Sequence, residues 1–72
     1  MSQAERTELF SRLKELSDAL PEMRFGQLIA NLAVVACGTD PGAVWDMEDA
    51  DLFAAANWQL AELSSRRAAD VA

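Results

Sequence analysis

"PEMRFGQLIANLAVVACG", residues 21–38, is mostly apolar, yet Arg24, Gln27 and Asn31 interrupt it at spacings of three and four. At 100° per residue, a helix through this stretch has three faces. Phe25, Ile29, Leu32 and Ala36 form a large apolar face with Leu28 at its edge. Gly26, Ala30, Ala33 and Cys37 form a second face of small residues only. Arg24, Gln27 and Asn31 share the third, flanked by Val34 and Val35. A helix apolar around most of its circumference is usually buried, and small residues let a neighbouring helix approach closely. The stretch is therefore predicted to be a central, mostly buried second helix spanning about 22–37. A membrane span is excluded by length. The unbroken apolar run from Leu32 to Cys37 falls far short of the ~20 residues a span needs. "VVAC" has the look of the motif before a lipidated cysteine, but it follows a charged amphipathic segment where a signal would begin with a short basic region. Cys37 is expected to be a small buried hydrophobe.

The flanking segments read as helices too. In "ERTELFSRLKELSDAL" (residues 5–20), Leu9, Leu13, Leu16 and Leu20 form one narrow stripe. Ser2 and Glu5 are spaced for a capping box, and Glu8 and Arg12 for an i,i+4 pair. Pro21 ends this helix or opens the next. Gly38 suits a helix end, and "GTDPG" is a turn in which Pro41 fixes φ and Gly42 tolerates positive φ. "WDMED" opens a third helix, with Asp46 as cap and Glu48, Asp49 and Asp51 at the positive end of the dipole. Its stripe is Leu52, Phe53, Ala56, Leu60 and Leu63, and Arg66 and Arg67 lie near its C-terminal end. The prediction is an all-α, small three-helix domain over residues 1–72, with helices at about 3–19, 22–37 and 47–68.

At 72 residues, the chain buries only roughly 60% of its unfolded surface and needs a disulfide, a metal or a partner for comfortable stability. One cysteine and no histidine rule out an internal disulfide and an ordinary Cys/His zinc site. A partner, a second copy included, is the default expectation. Apolar residues at 51% and charged residues at 25% are ordinary globular values. The net charge of −6 opposes nonspecific nucleic-acid binding. Asp40, Asp46, Glu48, Asp49 and Asp51 crowd one segment with no base among them.

The lack of histidine also removes Ser–His–Asp and Cys–His catalysis. Gly26, Gly38 and Gly42 match no phosphate-binding loop. With Asp46 as first ligand, the acidic run lacks the turn glycine and one ligand of an EF-hand. No enzyme activity, cofactor or metal is expected. Arg24, Gln27 and Asn31 are read as meeting the acidic segment, Glu48 and Asp49 foremost, and fixing that loop. The alternative is a polar pocket for a small ligand. Trp58 lies off the third helix's stripe on a face with Ala54 and Ala61, and an aromatic among alanines suits an interface anchor. Trp45 stands just before the cap, where Trp58 could fold onto it.

The pattern Pro-x-x-Arg-x-Gly-Gln-Leu-Ile-x-Asn, then an aromatic and Glu-Asp-x-x-Leu, is carried by Pro21, Arg24, Gly26, Gln27, Leu28, Ile29, Asn31, Trp45, Glu48, Asp49 and Leu52. It resembles a family of small uncharacterised bacterial and phage proteins. The resemblance covers residues 21–52 and implies an architecture, with no mechanism attached. It picks out the same polar face and acidic segment. The functional expectation is a cytoplasmic, non-catalytic protein–protein interaction module, an adaptor, regulatory or neutralising subunit. It would self-associate as a homodimer or bind another protein through Trp58, Ala54, Ala61 and Trp45. The rivals are a helix-turn-helix nucleic-acid binder and a small-ligand protein using the Arg24/Gln27/Asn31 face.

Overall fold

Ser2 starts the first helix by accepting the Glu5 N–H at 3.2 Å, while its hydroxyl donates to the Glu5 carboxylate at 3.0 Å. Helix α1 (Gln3–Ala19) follows, then α2 (Phe25–Cys37), α3 (Ala43–Asp46) and α4 (Asp49–Val71). This computed structural model describes the backbone of residues 2–71 and the side chains of residues 2–66. Among the described residues the fold is all-α, with no strand. The Arg67 side chain, assigned above to the end of the last helix, lies outside the described residues.

The leucine stripe of α1 packs as its spacing requires. Leu9, Leu13 and Leu16 are buried, with Leu28 and Leu32 of α2 and Ala55 and Ala56 of α4 completing the core. Leu20, Met23, Ile29, Ala36, Leu52, Phe53, Leu60 and Leu63 pack around it, partly covered. The helix packed most extensively against both of the other long helices is α4, lying against α1 on one side and α2 on another. The central position therefore belongs to α4 and not to α2. In α2, Leu28, Leu32 and Ala33 are buried, while Phe25, Gly26, Ala30, Val34, Val35 and Cys37 are exposed. Leu28 sits in the core and not at an edge. Of the small-residue face only Ala33 is covered. The physical reason is a shortage of helices: α2 has only α4 and the one-turn α3 as its main neighbours, too few to cover three faces.

The α2 start is set by local chemistry. The Gln27 carboxamide oxygen accepts the Arg24 N–H at 3.0 Å, half of a capping box. Arg24 has no side-chain acceptor with which to complete it. Met23, just before the cap, packs on the cluster that holds Leu28, as a hydrophobic staple does. Residues 21–23 are thus a turn, and the helix begins at Phe25, later than expected.

At the other end Gly38 has φ 80 and ψ −165, with its N–H bonded to the Val34 carbonyl at 2.9 Å. The following turn has Gly42 at φ −85 and ψ −1, so positive φ is not used there. The Asp40 side chain accepts the Gly42 N–H at 2.9 Å and its carbonyl accepts the Ala43 N–H at 2.9 Å. Trp45 and Asp46 then belong to α3, whose inward residue is the buried Ala43. The cap of the last helix is Glu48 and not Asp46. The Glu48 carbonyl accepts the Asp51 and Leu52 N–H groups at 3.0 and 3.1 Å, and the Asp51 carboxylate accepts the Glu48 N–H at 3.3 Å.

Three ion pairs are present among the described residues. Arg12 pairs with Glu15 at 3.3 Å and not with Glu8. Lys14 pairs with Asp18 at 2.6 Å. The Asp18 carboxylate, first by this hydrogen bond and then by its charge, raises the Lys14 pKa above its ordinary 10.5. That contribution is present below pH 10.5 and is lost as pH rises through the folded value. The third pair, Arg6 with Asp49, joins the starts of α1 and α4, so these helices run in the same sense. Val35 and Ala36, late in α2, lie by Asp51, Ala54, Ala55 and Trp58, early in α4. Helix α2 therefore runs against α4.

Candidate interaction surface

Trp58 points away from the core because the α4 stripe, Leu52, Phe53, Ala56, Leu60 and Leu63, occupies another side of the helix. It remains 51% exposed. The antiparallel packing of α2 brings Val35, itself 45% exposed, into a shallow hollow of about 250 Å³ shared with Ala36, Asp51, Ala54, Ala55 and Trp58. Two of the four residues expected in a partner contact, Trp58 and Ala54, thus meet in one place. Ala61 is exposed one turn further along α4, outside that hollow. Trp45 is 92% exposed on α3, so Trp58 does not fold over it.

Val35 and its neighbour Val34, also exposed, were assigned only to the flank of a polar face. The place of Val35 in the seam depends on the direction of α2 against α4, which no local pattern encodes. A second apolar area joins Phe10, exposed one residue off the leucine stripe, to Phe25 in a hollow shared with Leu13, Lys14, Ser17 and Asp18. Its one sequence signal was an aromatic at Phe10, i−3 to Leu13 on the wrong side of Leu9.

The polar residues of α2 do not gather with the acidic segment. Gln27 is committed to the Arg24 backbone, and the Asn31 amide donates to the Met23 sulfur at 3.7 Å. Asp49 turns to Arg6 on α1, whose Nε donates to Oδ2 at 3.1 Å. Glu48 caps α4 through its backbone. The predicted Arg24/Gln27/Asn31–Glu48/Asp49 cluster therefore does not form: Arg24 and Gln27 set the start of α2, Asn31 bonds to Met23, Glu48 sets the start of α4 and Asp49 pairs with α1. Gln27 also borders an open hollow of about 580 Å³ lined by Ala19, Leu20, Pro21, Glu22 and Met23. Cys37 is exposed, contrary to the buried place expected for it. It follows α2's last buried turn and immediately precedes Gly38, where the chain leaves the helix.

The charge is distributed unevenly. Between residues 25 and 65 there are six carboxylates, Asp40, Asp46, Glu48, Asp49, Asp51 and Glu62, and no lysine or arginine. That segment alone accounts for the whole net charge of −6. Every residue of the Trp58 seam comes from it. Among the described residues no three His, Cys, Asp or Glu groups converge as a metal site, and no helix is long and apolar enough to cross a membrane.

Comparison with family models, with curated proteins and with solved structures gives no match.

Proposed function

We propose that the chain is a non-catalytic protein–protein interaction module whose contact centres on Trp58. The observation that carries this reading is the open seam itself, where a half-exposed tryptophan, a half-exposed valine and alanines from two helices form one apolar area. Tryptophan is enriched at the energetic centre of interfaces, because a large, rigid ring is desolvated there at little entropic cost. Ala54 and Ala61 beside it leave room for an incoming side chain.

The rival readings have less behind them. A helix-turn-helix binder needs cations facing phosphate, and residues 25–65 supply none. At the α2 polar face the Gln27 oxygen already accepts the Arg24 N–H and the Asn31 amide already donates to the Met23 sulfur, so both amides carry local roles.

The test is affinity capture of tagged protein from nuclease-treated host lysate, with native mass determination, run beside Trp58→Ala. A stoichiometric second protein, lost with Trp58→Ala while circular dichroism and thermal midpoint hold, is the expected result. Removing a half-exposed side chain should cost the fold under ~1.5 kcal/mol, whereas a central anchor costs binding about 2 kcal/mol or more. A complex indifferent to Trp58→Ala would put the contact elsewhere.

A further inference from the structure

The seam between α2 and α4 has an apolar floor and an acidic edge. Asp51 lines the hollow with Val35, Ala54 and Trp58. Glu62 stands one turn beyond Trp58 and Asp51 two turns before it, so the three share one side of α4. Asp51 is exposed and Glu62 half-buried. Arg66, a further turn along, marks the end of the base-free stretch. Among the described residues Asp49 is the one carboxylate of residues 25–65 held in an ion pair. The field over the seam is therefore negative at its Asp51 end, and Arg66 is the nearest base along α4, at the far end beyond Glu62.

Resting on the reading of this seam as a protein contact, we propose that its occupant is a basic amphipathic helix of another protein. Apolar side chains of that helix lie on Trp58 and Val35, and its lysines or arginines face Asp51 and Glu62. A groove between two helices accepts a third helix through anchors at i, i+3/i+4 and i+7. Charge decides between this occupant and a second copy. A two-fold contact presents the same patch from both sides. It would set Asp51 and Glu62 of one protomer against an equal set of carboxylates, in the part of the chain that carries the whole net charge. A cationic helix meets the opposite condition, and the acidic field steers its approach.

The test is calorimetric titration of the full chain with three synthetic peptides of roughly 18 residues, five turns of helix. One carries lysine and leucine at amphipathic helical spacing, one replaces lysine by glutamate, and one scrambles the lysine/leucine order. The first is expected to bind one to one, at least about tenfold tighter than either control, and more weakly as salt rises. Asp51→Asn combined with Glu62→Gln is expected to weaken it about tenfold and flatten the salt dependence. Asparagine at 51 keeps an oxygen that can accept the Glu48 N–H, so the start of α4 is retained. Trp58→Ala is expected to weaken binding about thirtyfold.

Equal binding of the glutamate peptide, or an affinity unmoved by the charge variants while Trp58→Ala abolishes it, overturns the basic occupant and leaves the contact surface standing. Binding that ignores Trp58→Ala overturns both. So does failure of all three peptides to bind, if the lysate complex is also independent of Trp58. Failure of the peptides alone overturns only the basic helix. Sedimentation of the free chain supplies the last arm: a dimer dissociated by Trp58→Ala makes a second copy the occupant and overturns the inference.

Discussion

Two glycines of this chain have opposite requirements, and the difference is a matter of backbone dihedrals. Gly38 holds φ 80 with ψ −165, a region that residues with a Cβ rarely enter, although nothing lies within 4 Å of where its Cβ would be. The obstacle to a side chain there is the backbone and not space. Gly38→Ala should lower stability by about 1–3 kcal/mol in urea unfolding. Gly26 lies in the first turn of α2, also with nothing within 4 Å of a Cβ, and needs no special conformation. Gly26→Ala should raise stability by about 0.5–1 kcal/mol, by restricting the unfolded chain. If both substitutions shifted the urea midpoint in one direction, the dihedral argument would be wrong. The helix-ending role of Gly38 was legible, because glycine after an apolar periodic run has few other uses. The exposure of Cys37 and Phe25 was not, because a wheel states which residues share a face and never whether a neighbour arrives to cover it.

At the scale of elements, the leucine stripe and its serine cap made α1 readable almost residue by residue. The starts of α2 and α4 were harder, since each is fixed by one side chain. Gln27 takes up the Arg24 N–H, and Asp51 takes up the Glu48 N–H. Several residues in each stretch could have filled those roles. The stripe of α4 was visible, but its tightest contact is Ala56, which has no exposed surface, with Ala55 beside it at 4%. Small residues there let α1 and α2 both approach α4. That makes Ala56 a test of the packing: Ala56→Leu should destabilise by about 1–3 kcal/mol, because the added carbons force neighbours off their rotamers. For a chain of this length that corresponds to a fall in thermal midpoint of roughly 4–8 °C per kcal/mol. An unchanged midpoint would mean that the helices around Ala56 are not in contact as described. The direction of α2 against α4, which brings Val35 to Trp58, is likewise a property of packing and left no trace in either segment alone.

The whole molecule exposes more surface than its mass requires. Its accessible area is 5194 Å², against roughly 4,400 Å² for a compact monomer of 7.8 kDa. Its radius of gyration is 12.7 Å, where about 11 Å is usual for this length. The excess accords with the exposed faces of α2 and α4, and it means that little core is available to oppose electrostatic strain. The carboxylates of residues 25–65 repel one another with no cation among them, while the three ion pairs use bases from α1 alone. At about 0.01 M salt the screening length is about 30 Å, comparable with a molecule measuring 40 × 29 × 18 Å, so every carboxylate feels the others. At about 0.3 M it falls well below 10 Å, and most of this repulsion is removed. Salt also weakens the ion pairs, but exposed pairs contribute at most about 1 kcal/mol each and lie at close range, where screening acts least. Relief of repulsion should win. The thermal midpoint should rise by about 3–6 °C between those two sodium chloride concentrations. A midpoint that falls over the same range would mean the pairs, Arg6–Asp49 foremost, outweigh the self-repulsion of the acidic half.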